Sequence, residues 1–450
     1  MAGLGSRADQ RLRRLVQSAQ RDRRLPSLVL SAQVRGEPVG TYWAGTSDFD
    51  RGLAPGADVQ YRVGSITKTV TAVAVMQLIA AGRLALHDEL RRHWPDAPHG
   101  DVTILSLLTH TSGLQAEPVG EVWETLMPPS RDEFPANAAA ARRLYPAGTF
   151  WHYSNLGFAL LGELVARVYG APWEEVVTSR ILEPLGMMRT TMQPAWPHAS
   201  GYSVAAYADA VQREPHLDSR AIAPAAQLWS TVSDLATWSN FLLAGDPQVL
   251  DRDSMAAMRV PRVVADLEGW SLAWGLGLML VRDGGNVYVG HTGSMPGFLA
   301  ACFAAEGSQA GVALLTNSTA STGVGSIAAE ALRVLDEVAW EPAPWQPGPD
   351  VPEEVAPLLG RWWSEWREWI FSWTEGQLVA KSADAPSGSD PERYSPIGHD
   401  LYLCISGPGR GEELRIVRSA RGDVEKMYRA TYPMTRRPEP FGGTEKRSGV

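Results

Sequence analysis

Strand-forming segments stand at both ends of the first 338 residues and enclose a long helical middle, an order that leaves few architectures open. Residues 27–35 and 38–44 are short and β-rich, separated by Gly36-Glu37, and read as a hairpin. Strand patterns return only at 271–281, 286–291, 297–305 and 311–317, and an amphipathic helix over 323–338 follows them. Between the two sets, residues 103–244 are mostly helical, with signals at 156–169, 172–180 and 233–243. The expected fold class is α+β: an antiparallel sheet built from distant pieces and flanked by helices, plus an all-helical subdomain within about 83–260.

The rest of the chain reads as a second unit. Residues 339–355 carry five prolines and no periodicity, the mark of a linker. Residues 356–436 alternate like a small antiparallel β-barrel-like domain, with Trp369, Phe371 and Trp373 on one face and Leu401, Leu403 and Ile405 sharing another. The tryptophans Trp362, Trp363, Trp366, Trp369 and Trp373 read mainly as core, with a binding face as the alternative. Residues 437–450 are expected to be a disordered tail. The Pro-rich, acidic stretch 115–135 reads as a long surface loop, or as a lid.

Charge and composition narrow the partners. A net charge of −9 argues against nucleic acid, whose binding depends on Lys and Arg neutralising phosphates. Leu12, Leu15, Val16 and Ala19 fall on one helix face with arginines opposite, so the N-terminus reads as a surface helix rather than a targeting segment. The longest apolar run, Val70 to Ala81, is shorter than the ~20 residues that a bilayer requires, so no membrane is expected and the placement is cytoplasmic. Cys302 and Cys404 lie in no motif, which gives no disulfide framework, no metal and no cofactor.

Lysine usage points to chemistry. Only Lys68, Lys381, Lys426 and Lys446 occur among 41 basic residues, and Lys68 is the only lysine before residue 381. A site that keeps Lys where Arg serves elsewhere needs a group able to lose its proton. Ser65-Ile66-Thr67-Lys68 sets a hydroxyl and an amine three residues apart on one helix face, in a first turn that favours negative charge. At an ordinary pKa of ~10.4 only about one lysine in a few thousand is neutral at pH 7; moving the pKa to ~7 costs about 4–5 kcal/mol of differential interaction. A Ser N-cap with a surface Lys is the alternative for these residues alone.

Two further pieces accompany the pair. Pro146 to Asn155 runs through an extended piece into a helix, and a turn at Ser154 aims Tyr153 and Asn155 into one cleft; alternatively they are a core Tyr and a helix cap. His291-Thr292-Gly293-Ser294 follows a strand ending at Gly290, where a glycine lets backbone approach a bound ligand closely; the alternative is a hairpin turn with an exposed His.

Together, Ser65-x-x-Lys68, Tyr153-x-Asn155 and His291-Thr292-Gly293 resemble, in order and approximate spacing, the three motifs of the serine β-lactamase and penicillin-binding-protein family. Leu107 to Leu114 (Leu-Leu-Thr-His-Thr-Ser-Gly-Leu), Ser230 to Leu235 and Trp274 to Gly277 look like that family as well, and the resemblance covers about residues 10–338. It implies a β-lactamase/transpeptidase-like fold. It also implies Ser65 as nucleophile, Lys68 as its base and Tyr153 as proton shuttle. Asn155 would hold Lys68 and the substrate amide, and the N–H groups of Ser65 and Ser294 would form an oxyanion hole. His291 departs from the lysine of true β-lactamases and makes efficient penicillin hydrolysis doubtful. His110 and His152 read as structural.

The expected function is acyl transfer from an ester, thioester or amide, with a small-molecule or peptide acyl substrate. The added β domain resembles the lipocalin-like domain of stand-alone penicillin-binding-protein-type thioesterases. That resemblance implies release and head-to-tail cyclisation of a nonribosomal peptide, with a peptidyl carrier protein as partner. The alternatives are a cytoplasmic esterase or D-amino-acid amidase of the same family, and a catalytically silent peptide-binding scaffold.

Overall fold

The computed structural model describes residues 2–320, 323–339, 347–386 and 389–440. The chain divides into two compact units, Met1–Glu341 and Pro342–Val450.

In the first unit one antiparallel sheet gathers strands from both ends of the segment. Its spatial order runs Glu37–Gly45, Ser27–Val34, Ala310–Thr316, Phe298–Ala305, Asn286–Met295, Met279–Asp283, Leu272–Trp274 and Val263–Val264. Leu28 pairs with Thr316 and Val34 with Ala310, so this unit's first strand is closed against its last, about 280 residues away. The three central strands are buried along nearly their whole length. A sheet covered on both faces selects such continuous apolar runs over polar alternation.

Alternation still sorts the side chains. Leu28, Leu30 and Ala32 face a layer made by the helices Ala2–Asp22 and Val324–Ala339, whereas Val29 joins the larger core on the opposite face. In the N-terminal helix Leu12, Val16 and Ala19 are buried and Leu15 is half-buried, as the spacing predicts. The opposite layer holds the helices Thr67–Ala80, Asn155–Tyr169 and Val232–Ala244. Ser154 and Thr231 cap the latter two, accepting from Gly157 N–H and Asp234 N–H, which satisfies first-turn donors that have no helical partner.

The second unit is an eight-stranded up-and-down barrel from Gly360–Ser364 to Tyr432–Met434, each strand pairing with the next. Trp363 and Thr435 exchange backbone hydrogen bonds of 2.8 and 2.9 Å and bring the first strand against the last. Trp362, Phe371, Leu378, Tyr394, Cys404 and Met427 fill the interior, in keeping with an eight-stranded barrel just wide enough for side chains.

Several expectations change. Leu401, Leu403 and Ile405 do share a face, but it is the outer one: Tyr402 and Cys404 point inward and Ile405 is exposed. Trp369 and Trp373 pack on the barrel core, while Trp366 is exposed. Stretch 115–135 contains a helical turn, Val122–Thr125, and sends Glu117 inward instead of forming a plain loop. Val355, placed in the linker by its prolines, is a buried member of the barrel core. Arg436 is anchored, with its guanidinium 3.9 Å from the Trp362 ring centroid and bonded to the carbonyls of Leu359 and Arg361. Linker residues 340–346 and tail residues 441–450 lie outside the described residues. Cys302 and Cys404 are buried free thiols. Among the described residues no helix is long and apolar enough to cross a membrane, and no group of three His, Cys, Asp or Glu side chains is placed to hold a metal ion.

Candidate active site

Ser65 occupies a tight turn, Gly64–Ile66, that leads into the helix Thr67–Ala80. Every residue of that helix from Thr67 to Met76 is buried, so its first-turn lysine is shut away from water. Lys68 is completely buried. Its Nζ is hydrogen-bonded to Ser65 Oγ at 2.9 Å and donates to the Ala225 carbonyl at 2.9 Å. Burial brings the lysine pKa down to about 7 against the opposing pull of Glu117, because removing water penalises the ammonium more than the amine. The pair therefore has the geometry and the protonation of a nucleophile beside its base.

Tyr153 lies over the same amine, which is 4.8 Å from its ring centroid. The phenol lies near enough to Ser65 to interact with it, and burial raises its pKa far enough to keep it a phenol. The short Trp151–Tyr153 segment is held by a ring cluster. His110 lies 4.3 Å from Tyr153 between centroids, and Trp274 contacts Tyr153, His110, Trp151 and His291 at 5.1–5.8 Å.

The third motif is not a turn after a strand. His291 to Ser294 lies inside the strand Asn286–Met295, and His291 is buried. Its Nδ1 donates to the Thr292 carbonyl, which leaves Nε2 as an acceptor. Burial, and next the charge of Lys68, push its pKa to about 3, so this histidine is neutral and is no cation for a carboxylate. Strand alternation turns Thr292 away, towards Gly325 of the helix behind the sheet. Gly293 opens no room for a ligand; it lets the strand backbone press against the Val63–Ser65 turn. Gly64 answers it from the other side, with φ +50 and no space for a side chain against the Ser294 backbone.

Asn155 differs from its expected role. Its Nδ2 donates to Glu117 Oε1 at 2.5 Å, while Lys68 takes Ser65 and Ala225 as partners. Glu117 is the residue that sequence reasoning missed. Its carboxyl pKa is raised by burial, opposed by the Asn155 hydrogen bond and the charge of Lys68. Glu117 and Asn155 line, with Val122, Trp123, Leu217 and Met295, a hollow of about 20 Å³, room for about one water molecule. A larger cavity, lined by Arg131, Glu163, Trp173 and Arg220, sits behind the Ala223–Ala226 helix and contains none of these groups, so size alone does not locate the site.

The chain is 33% identical over 195 residues to esterase EstB of Burkholderia gladioli, covering 39% of this chain and half of that protein's length. Its fold matches the crystal structure of SurE with a TM-score of 0.64 and 27% identity, over 97% of this chain and all of that one. It also matches D-amino acid amidase from Ochrobactrum anthropi, solved with L-phenylalanine amide, with a TM-score of 0.61, 25% identity and coverage of 72% and 99%. Residues 351–436 match a domain of unknown function, DUF7586. Residues 12–337 match the family described as Beta-lactamase, and with Ser65, Lys68 and Tyr153 assembled as above, the chain belongs to that family of serine hydrolases.

Proposed function

We propose that this protein releases a peptidyl group from an ester or thioester through an acyl-enzyme on Ser65, with an amine of the same peptide closing a ring. The observation that carries the acyl-transfer step is the 2.9 Å contact between Ser65 Oγ and a fully buried Lys68 whose pKa stands at about 7. The neutral amine takes the serine proton as Oγ attacks the acyl carbon. Tyr153, still a phenol, relays that proton: it gives its own to the leaving group and takes the one held on Lys68, so both groups return to their starting state. The N–H groups of Ser65 and Ser294, on backbones brought together by Gly64 and Gly293, receive the developing oxyanion. In the second half the incoming amine gives its proton back through the same groups and Ser65 regains its hydroxyl.

Two features support an amine-bearing acyl donor. Glu117, hydrogen-bonded to Asn155 and feeling the charge of Lys68, is an acidic group at the border of the site and is the partner proposed for the donor's amine. His291, being neutral, offers no partner to a carboxylate. The likeness to SurE spans both units, and the amidase neighbour was solved with an amino-acid amide. A peptidyl carrier protein presenting the thioester and a cytoplasmic site of action belong to this reading.

The test is a panel of peptidyl thioester mimics, some ending in a D-residue, followed by mass spectrometry. Cyclic product from the native protein and none from Ser65→Ala is the expected result; only background hydrolysis across the panel rejects the cyclisation. The Glu117 carboxylate equally favours a second reading, an esterase or amidase for small donors with a free amine, in which water is the acceptor. Turnover of amino-acid p-nitrophenyl esters or amides without turnover of peptidyl thioesters selects it. If a fluorophosphonate adds no mass at Ser65, the chain is a silent scaffold.

A further inference from the structure

His110 belongs to a motif that the acyl-transfer chemistry leaves unused, yet it touches more of the site than any expected role required. Its backbone is left-handed, with φ +57, and its carbonyl accepts from His152 N–H at 2.8 Å. Its side chain is buried. Nδ1 accepts the Ser154 N–H at 3.1 Å, which fixes the lone pair on Nδ1 and the proton on Nε2. Ser154 N–H opens a helix and has no helical partner, so the imidazole supplies the acceptor that a buried donor requires. The ring lies 4.3 Å from Tyr153 at 31°, and 5.1 Å from Phe158. Among the described residues the Nε2–H has no hydrogen-bond partner, and the Trp274 indole lies 5.3 Å from the imidazole, nearly perpendicular to it.

His110 and His291 therefore hold opposite tautomers, each set by a backbone group, with Tyr153 in ring contact with both. We propose that His110 is a positioning residue for Tyr153: it clamps residues 152–154 by one side-chain and one main-chain hydrogen bond and backs the tyrosine ring, which holds the phenol on Ser65. It touches neither substrate nor the reacting atoms. The inference is independent of which acyl donor the protein takes.

Two substitutions separate the clamp from the stack. His110→Asn keeps a short acceptor and tolerates a left-handed backbone but removes the ring; His110→Phe keeps a ring and removes the acceptor. Each is combined with Tyr153→Phe, and the rate of Ser65 labelling by a fluorophosphonate is read by mass, alongside kcat and KM for a p-nitrophenyl ester. In the Tyr153 background each is expected to slow labelling and kcat about tenfold with KM within twofold; in the Tyr153→Phe background each changes labelling less than twofold. An equal loss in both backgrounds, or no loss in folded variants, overturns the proposal. Imidazole nitrogen NMR of the unaltered protein supplies a second check should a variant fail to fold. A buried neutral histidine with the proton on Nε2 and its lone pair on Nδ1 is expected at residue 110; the opposite tautomer overturns the clamp.

Discussion

A side-chain carbon at Gly293 would stand 1.8 Å from the carbonyl oxygen of Val63, well inside contact distance. The strand that carries the third motif and the turn that carries the nucleophile therefore meet backbone to backbone, and this contact sets the spacing between Ser294 N–H and Ser65. Gly293→Ala must push strand and turn apart. The expected outcome is a loss of at least ~100-fold in ester turnover, the size associated with removing one oxyanion donor, together with a lower Tm by calorimetry.

The pH dependence follows from a single titrating base. With Lys68 at about 7, kcat/KM is expected to rise with pH, tenfold per unit well below 7, and to level off above it. His291, at about 3, stays neutral throughout and adds no ionisation between pH 5 and 9. The raised phenol pKa of Tyr153 removes any descending limb below pH 10. A rate profile measured in constant-ionic-strength buffers checks all three.

Lys68→Met is expected to abolish turnover and stabilise the fold. The unfolded lysine titrates near 10.5 and the folded one near 7, so between those values the unfolded chain binds more protons and stability rises with pH. Below pH 7 the destabilisation is complete, on the order of 4–5 kcal/mol for a fully buried group. Thermal melts of the variant should exceed the parent by most at pH 6 and converge towards it at pH 10. Lys68→Arg loses turnover without the gain, because guanidinium stays charged.

His291→Lys introduces the cation that the third motif lacks. Acylation by a penicillin, followed as mass added to Ser65, is expected to accelerate at least tenfold relative to acylation by an uncharged ester. The second ammonium also shifts the acid limb of the rate profile below its parent value, since like charges favour a neutral Lys68.

Glu117→Gln tests the amine subsite. For p-nitrophenyl esters of amino acids with a free amine, KM should rise about tenfold to a hundredfold, while the N-acetylated esters change less than threefold. Equal effects on both donor sets assign Glu117 to holding Asn155 in place and to nothing more.

That one antiparallel sheet gathers pieces from 27–44 and 271–317 around a helical middle was legible, because periodicity and distance along the chain are sequence properties; the order of its strands came only with the structure. Ser65 and Lys68 were legible for a related reason. Two residues three apart at a helix start are neighbours whatever the remaining chain does, and a lone lysine among arginines marks a group kept for its proton. Asn155 was not legible in detail, because its partner is Glu117, from a stretch whose composition reads only as loop.

What the sequence by itself determined is the local chemistry, which hydroxyl sits beside which amine, and that strands from both ends enclose a helical middle. What only the tertiary structure decided is the electrostatic state of that chemistry. Burial of the first turn of the Thr67–Ala80 helix makes Lys68 a base, and burial of the Asn286–Met295 strand at His291 makes that imidazole a neutral acceptor. Desolvation depends on everything packed around a group, most of it remote in the chain, and no spacing of residues encodes it.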